Sequence, residues 1–372
     1  MSVSINGTNG IVFNDGSIQK VSAFTGFRNR IINGDMRIDQ RNAGAAITPT
    51  TTPIYSVDRW RTNISQASKM TFQQQVIASP QSCDGNRYTL SCSTASAYTP
   101  TSSDFFGVNQ FVEGFNTADL LWGTSSAKTI TLSFWVYCGL TGNFGGAIRT
   151  GDGSNYSYPF IYTINTANTW EKKTITITGP TSGTWGTTNV VGLDVWFSLG
   201  AGSTFIGTAN TWAAANYVHA TGAVNLVSTA SGSGGNWYIT GVQLEAGSTA
   251  TDFERRPYGT ELALCQRYYY LLVNGSSQPI FSGFNASTTR AYGSVYFPVT
   301  MRANPVLVST SGTNYYEIYQ GTGTIRSTAI TQDLASPRGT SLYSDTTGLT
   351  TGYGNFFYSI SASSFVAFNA EL

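Results

Sequence analysis

Charge is scarce in this chain: charged residues make up 10% of its 372 positions, and the balance is +1. So neutral a polymer has no basic footprint for a nucleic-acid backbone and no polybasic patch for an anionic membrane. Histidine occurs once, at His219, and cysteine four times, at Cys83, Cys92, Cys138 and Cys265. No CxxC pair is present and no Cys/His cluster can form, which argues against zinc. Cys83 and Cys92 are spaced to bridge a hairpin, but burial as small reduced apolar groups is the favoured reading. No run approaches the roughly 18 apolar residues of a membrane helix. The opening MSVSINGTNG lacks the basic-then-apolar pattern of a secretion signal. Neither a GxSxG elbow nor an HExxH occurs, and His219 in NYVHATG has no partner motif, so it reads as a strand or loop residue without chemical duty.

What is abundant is glycine (40), tyrosine (21) and phenylalanine (21), with Ser, Thr and Asn in place of charge. That balance favours many short strands joined by tight turns. KTITLSFWVYCGL sets Ile130, Leu132, Phe134, Val136 and Cys138 on one face and Thr131, Ser133, Trp135 and Tyr137 on the other. VVGLDVWFSLG repeats the device, with Leu193, Val195 and Phe197 opposed to Asp194 and Trp196. Such strands, separated by Gly-rich turns, predict an all-β chain: a jelly-roll or β-sandwich central domain over 29–256 and a smaller C-terminal β-sandwich over 257–372. Residues 1–28, with their NG and DG turn pairs, read as small hairpins too short for a core of their own, hence an attachment or trimerisation segment.

Against this neutral background LEAGSTATDFERRPYGTELALCQRYYY concentrates charge. After Pro257, Thr260 is expected to cap a helix of two or three turns, one reading of which runs on into a strand, with Glu261 in its first turn. Leu262, Cys265 and Tyr269 form one stripe, and Leu264, Tyr268 and Leu271 another. The stretch reads as a junction between the two units and between copies of the chain, where Arg255 and Arg256 fork onto carboxylates such as Glu254 or Glu261, in the same chain or a neighbour, and where Leu262 and Tyr269 need apolar cover. A solvated linker with weak surface ion pairs is the alternative.

Two stretches resemble a known family. FRNRIINGDMRIDQRNAG followed by YSVDRWR is similar to the start of a module common in tailed-bacteriophage tail fibres, and GVQLEAGSTATDFERRPYGTELALCQRYYY to its end. INGTNGIVFNDGSIQK resembles the turn-rich repeats of phage fibre and appendage proteins. The last hundred residues match no such pattern. The resemblance implies a homotrimeric virion fibre with a carbohydrate-binding-like jelly roll, bound through its N-terminus to other tail or baseplate proteins. It also implies recognition of a bacterial surface polysaccharide, outside the host cell after release.

The expected chemistry is binding, not catalysis. Pyranose C–H faces stack on Trp and Tyr while their hydroxyls pair with Asn, Gln, Asp and Ser. Trp135, Tyr137, Asp194 and Trp196 would form an aromatic floor with one acceptor if their strands are neighbours; burial in the core or in trimer contacts is the competing reading. The C-terminal unit, 257–372, is read as the receptor-binding tip, favoured over the jelly-roll body; in it Tyr315, Tyr319, Tyr353 and Asn355 are the candidate host contacts, with core and hairpin packing as the alternative. No cofactor is required. Jelly rolls of the implied kind often carry a structural calcium near their first and last strands, where Asn33, Asp35 and Glu245 lie, and GDGSN at 151–155 is also rich in oxygen. The alternatives to a non-enzymatic fibre are a tailspike-type depolymerase and a structural baseplate or fibre connector.

Overall fold

The computed structural model describes residues 27–372 apart from 152–154, 231 and 233, and, before residue 27, three short strands. These are β1 (Ser4–Asn6), β2 (Gly10–Val12) and β3 (Ile18–Gln19), an antiparallel meander pairing Ser4 with Val12 and Ile11 with Gln19. Their connecting NG and DG turns and the expected attachment function of 1–28 lie outside the described residues.

The next strands build two facing antiparallel sheets. The first is six-stranded, in the order β11 (Ser157–Ile164), β10 (Gly142–Arg149), β13 (Val191–Ala201), β8 (Phe105–Glu113), β5 (Trp60–Ile64) and β4 (Ile54–Val57). The second is five-stranded: β12 (Glu171–Ile177), β9 (Ile130–Cys138), β16 (Asn236–Ala246), β7 (Tyr88–Thr94) and β6 (Met70–Val76). After the hairpins β4–β5 and β6–β7 the chain crosses from sheet to sheet, with β10 and β11 kept as a hairpin in the first sheet, the jelly-roll arrangement. The expected inward sets hold: Ile130, Leu132, Phe134, Val136 and Cys138 meet Leu193, Val195 and Phe197 in one core. Phe134 packs edge-on against Phe197 at 5.0 Å, and Trp237 donates its indole N–H to the Tyr162 hydroxyl at 3.0 Å across the sandwich. Each such fully buried side chain contributes about 1.5–3 kcal/mol. All four cysteines are buried, Cys92 and Cys138 within this core.

The outer face of the six-stranded sheet is not open. Residues 202–226, carrying the small parallel pair β14 (Ile206–Gly207) and β15 (His219–Ala220), fold back over it. Trp196, Ala201 and Val218 form a separate cluster there with Phe105, Phe205 and Ile206. Gly107 on the neighbouring strand makes room: a Cβ there would stand 2.4 Å from the Trp196 Nε1.

Beyond residue 257 comes helix α1 (Tyr258–Gln266), then a second sandwich. Its smaller sheet is β17 (Tyr269–Asn274), β26 (Phe365–Asn369) and β20 (Val306–Ser309). Its larger sheet has seven strands, in the order β22 (Gly323–Ser327), β21 (Tyr316–Gln320), β25 (Gly354–Ser359), β18 (Pro279–Asn285), β19 (Arg290–Tyr296), β24 (Gly339–Asp345) and β23 (Thr331–Ser336). Phe281 and Phe357 stack at 4.7 Å in the core between them.

The junction departs from expectation in detail. Pro257, extended at φ −54, is the residue that precedes the helix, so Thr260 falls inside the first turn and caps nothing. The helix is the short one expected, two to three turns ending at Gln266, and the chain runs on into β17, which holds Tyr269 and Leu271 and so takes the far ends of both expected stripes out of the helix. Glu261 does occupy the first turn, favourably placed toward the helix dipole.

The junction's charges are mostly buried. Arg256 meets Glu261 at 3.2 Å and Glu254 at 3.3 Å and donates to the Ile31 carbonyl. Glu261 in turn accepts the Asn33 N–H at 2.5 Å. Arg255 and Asp252 are exposed, Arg255 standing beside Asp84 at 3.5 Å. Leu262 packs against Ile32, Ile38, Cys265 and Tyr268, and the Tyr269 ring lies under the Arg41 guanidinium at 3.6 Å. Arg267 grips Glu113 of the jelly roll with two hydrogen bonds of 2.6 and 3.0 Å, and buried Arg59 pairs with Glu371 near the C-terminus. The concentration of charge thus serves a desolvated seam in which removing one partner strands the other.

Candidate functional site

On the outer face of the five-stranded sheet three rings converge. Tyr137 on β9 and Tyr238 on β16 are directly opposed in register and meet edge-on at 5.3 Å. Trp170 leans on Tyr137 at 5.7 Å from the loop before β12. That loop is locally fixed. Asn168 turns it at φ +58, a conformation Asn tolerates, and donates its N–H to the Cys138 carbonyl at 2.8 Å. Glu171 accepts the N–H groups of Asn165 and Thr166 at 2.9 and 2.8 Å and pairs with Lys173. Burial alone would raise the Glu171 pKa, but Lys173 and these backbone donors outweigh it and hold the carboxyl low.

The three rings line a cleft of about 500 Å³ whose other walls include Gln75, Thr89, Ser82 and Asn168. The Tyr137 hydroxyl donates to the Asn168 Oδ1 at 3.2 Å. Asn168 and Tyr238 also border a second hollow, with Ser93, Thr94 and Asn236 on its far side. Apolar ring faces flanked by amides and hydroxyls, with no carboxylate in the lining, form a surface for a neutral polyol.

Of the expected sugar-binding residues on the jelly roll, only Tyr137 lines this cleft. The shared floor with Trp196 and Asp194 is corrected. Trp135 stands on β9 in the five-stranded sheet and the other two on β13 in the six-stranded one, so they are not neighbours. Trp196 and Asp194 are moreover buried beneath the 202–226 excursion. Asp194 accepts from Arg149 Nε and Asn109 Nδ2, each at 2.7 Å, and Arg149 lies over the Trp196 ring at 4.8 Å. They form a buried structural pair.

In the second sandwich, Tyr319 and Tyr353 are 52% and 42% exposed. Asn355 is corrected: it is buried, donating to Asn285 Oδ1 at 3.0 Å within an amide chain that continues to Gln320. Tyr315 precedes β21 and packs against Tyr316 at 6.3 Å rather than sharing the outward row of Tyr319. The outward row instead includes Phe356, Tyr358, Phe284, Tyr292 and Tyr343. Their alternation in GYGNFFYS, FSGFN and RAYGSVY was the signal available for them. Trp170 carried no such signal, since a loop places it.

The expected calcium donors have separate protein partners. Asn33 bonds Ile38 and the Asp58 carbonyl, Asp35 pairs with Arg37 at 3.3 Å, and both Glu245 oxygens accept from Thr251. Among the described residues no group of three or more His, Cys, Asp or Glu side chains is arranged to hold a metal, and most of the GDGSN loop lies outside them. His219 is buried, hydrogen-bonded to Ser198 Oγ at 2.8 Å and the Ala223 carbonyl at 3.2 Å; burial lowers its pKa.

No protein-family model matches this chain, and no curated protein does. Among solved structures it is similar to the enzymatically active domain of tailspike protein 4 of bacteriophage CBA120, at 12% identity and TM-score 0.32, over 59% of this chain and 21% of that one. It is also similar to a family 61 carbohydrate-binding module in complex with β-1,4-galactotriose (12% identity, TM-score 0.27, 59% of this chain and all of that one). A third is a family 11 carbohydrate-binding module of a Clostridium thermocellum cellulosomal cellulase (12%, 0.26, 56% and 98%). No helix among the described residues is long and apolar enough to cross a membrane.

Proposed function

We propose that this chain is a homotrimeric tail-fibre component of a bacteriophage that attaches the virion to its host by binding a bacterial surface glycan without cleaving it. The observation that carries the binding part is the cleft of Tyr137, Trp170 and Tyr238, with Gln75, Ser82 and Asn168 beside the rings. Ring faces take the C–H surface of a pyranose, and the amides and hydroxyls take its oxygens. Glycoside hydrolysis usually needs two carboxylates about 5–9 Å apart across the substrate, and this cleft is lined by none. Fibre identity is supported by the sequence resemblance at both ends of the jelly roll. Trimerisation is supported by the edge strands β20 and β23, which leave Val306, Val308 and Leu334 exposed and in need of cover. Three copies per fibre would turn weak single-site affinity into firm attachment.

The deciding experiment measures binding of the intact chain to purified host lipopolysaccharide and capsule, beside Trp170→Ala. Saturable binding weakened about tenfold by the substitution is expected. A shortening of the polysaccharide during incubation would establish a depolymerase instead, and absence of binding with retained virion incorporation would establish a connector. Molar mass in solution tests the trimer.

A further inference from the structure

We infer that the open face of the seven-stranded sheet is a second glycan platform, separate from the jelly-roll cleft, whose ligand is an extended, uncharged polysaccharide lying across the strands. The class of ligand rests on the glycan reading above; the site rests on different residues. Tyr319 of β21 is opposed to Phe356 of β25, while Phe284 of β18 faces Tyr292 of β19, which faces Tyr343 of β24. Phe284 and Tyr292 stack at 6.3 Å, and Tyr292 meets Tyr343 at 5.6 Å. The rings span four inter-strand steps, about 19 Å at the usual strand spacing, a length suited to several sugar units, and step sideways by two residues where Phe356 opposes Ser282 and Phe284 opposes Gly354. The residues alternating with it, Ile318, Phe357, Ala291 and Leu342, fill the core, so the rings are held on a rigid support.

Two features favour a neutral polyol, one over another protein surface and one over an anionic polymer. Ser282, Ser294 and Ser341 interleave with the rings on this face. A dry protein interface would leave such hydroxyls unpaired, whereas sugar hydroxyls can pair with them. The charges at the two ends are already cancelled. Arg290 holds Asp345 through two bonds of 2.6 and 2.7 Å, and Glu317 is shared by Arg326 at 3.1 Å and the Tyr358 hydroxyl. An anionic polymer would therefore find no open cation in these pairs. Where Gly354 opposes Phe284 the face is uncluttered: a Cβ on that glycine would meet nothing closer than 3.8 Å.

The test uses the full chain immobilised against neutral and acidic bacterial polysaccharides, with three variants. Phe284→Ala/Phe356→Ala removes two rings. Ser282→Arg leaves them in place and drives a long cation between them from an exposed position, so it decides the matter if the double variant unfolds. Trp170→Ala disables the cleft. Expected are a loss of about tenfold on a neutral polysaccharide for each face variant and residual binding in Trp170→Ala. Face variants that bind like the parent while Trp170→Ala loses binding would overturn the platform and leave the cleft. A changed oligomer mass in Ser282→Arg with unchanged affinity would make this face a contact between copies and overturn it likewise. Preference for acidic polymers would overturn the neutral ligand. A parent chain that binds no polysaccharide would overturn both this inference and the reading beneath it.

Discussion

The outer faces of the two large sheets begin from the same pattern and end differently. On β13, Asp194 and Trp196 alternate with core residues just as Tyr319, Phe356 and Phe284 do on β21, β25 and β18. Yet Trp196 is 1% exposed and Phe284 55%. The difference is the 202–226 excursion, which seals the first face, while no described segment of the chain closes the second. Strand alternation tells which residues leave the core of a sandwich; it does not tell whether they reach solvent.

The sharpest way to break this contrast is Trp196→Ala. If the covered face is a true second core, the substitution costs about 3–5 kcal/mol in denaturant unfolding, and a cost near zero would show the excursion is only loosely seated. Next comes Arg149→Ala, which strands the buried Asp194 carboxylate. Its expected cost is about 3 kcal/mol, partly relieved if Asp194→Asn is added. By contrast Phe356→Ala, on the open face, should move stability by no more than about 0.5 kcal/mol while weakening glycan binding. The same magnitude is expected of Trp170→Ala in unfolding, again with its effect in binding.

A gentler test concerns the seam between the sandwiches. Burial raises the Asp58 carboxyl to about 6, against the opposing pull of Arg41 and Gln40. The folded chain then binds a proton more tightly than the unfolded chain, whose Asp titrates near 4. Stability from this group is therefore lowest above pH 6 and recovers as pH falls from about 6 toward 4. His219, its pKa lowered by burial, acts in the opposite sense below its unfolded value. Comparing Asp58→Asn with the parent cancels that contribution. The variant should lose this stretch of the pH dependence of Tm, and an unchanged profile would mean that Asp58 is ionised throughout.

Much of the architecture was legible beforehand. The alternation in KTITLSFWVYCGL and VVGLDVWFSLG named the inward residues of β9 and β13 correctly, because a side chain's face in a strand depends only on its parity. The charged stretch around 244–270 was recognisable as a junction, because a neutral chain has little other reason to gather Arg and Glu beside a proline turn. Less was legible at the sites. Tyr137 could be assigned an outward face, but not its neighbours Trp170 and Tyr238, since one comes from a loop and the other from a strand about a hundred residues on. Asn355, expected as a host contact, is part of a buried amide chain closed by Asn285 and Gln320.

The sequence by itself determined the strands, their two faces and the seam that joins the sandwiches, because parity, turn chemistry and local charge are properties of neighbouring residues. Only the tertiary structure decided which aromatic faces are covered and which stand open, because cover comes from segments distant in the chain, and it is their packing that separates a second core from a binding surface.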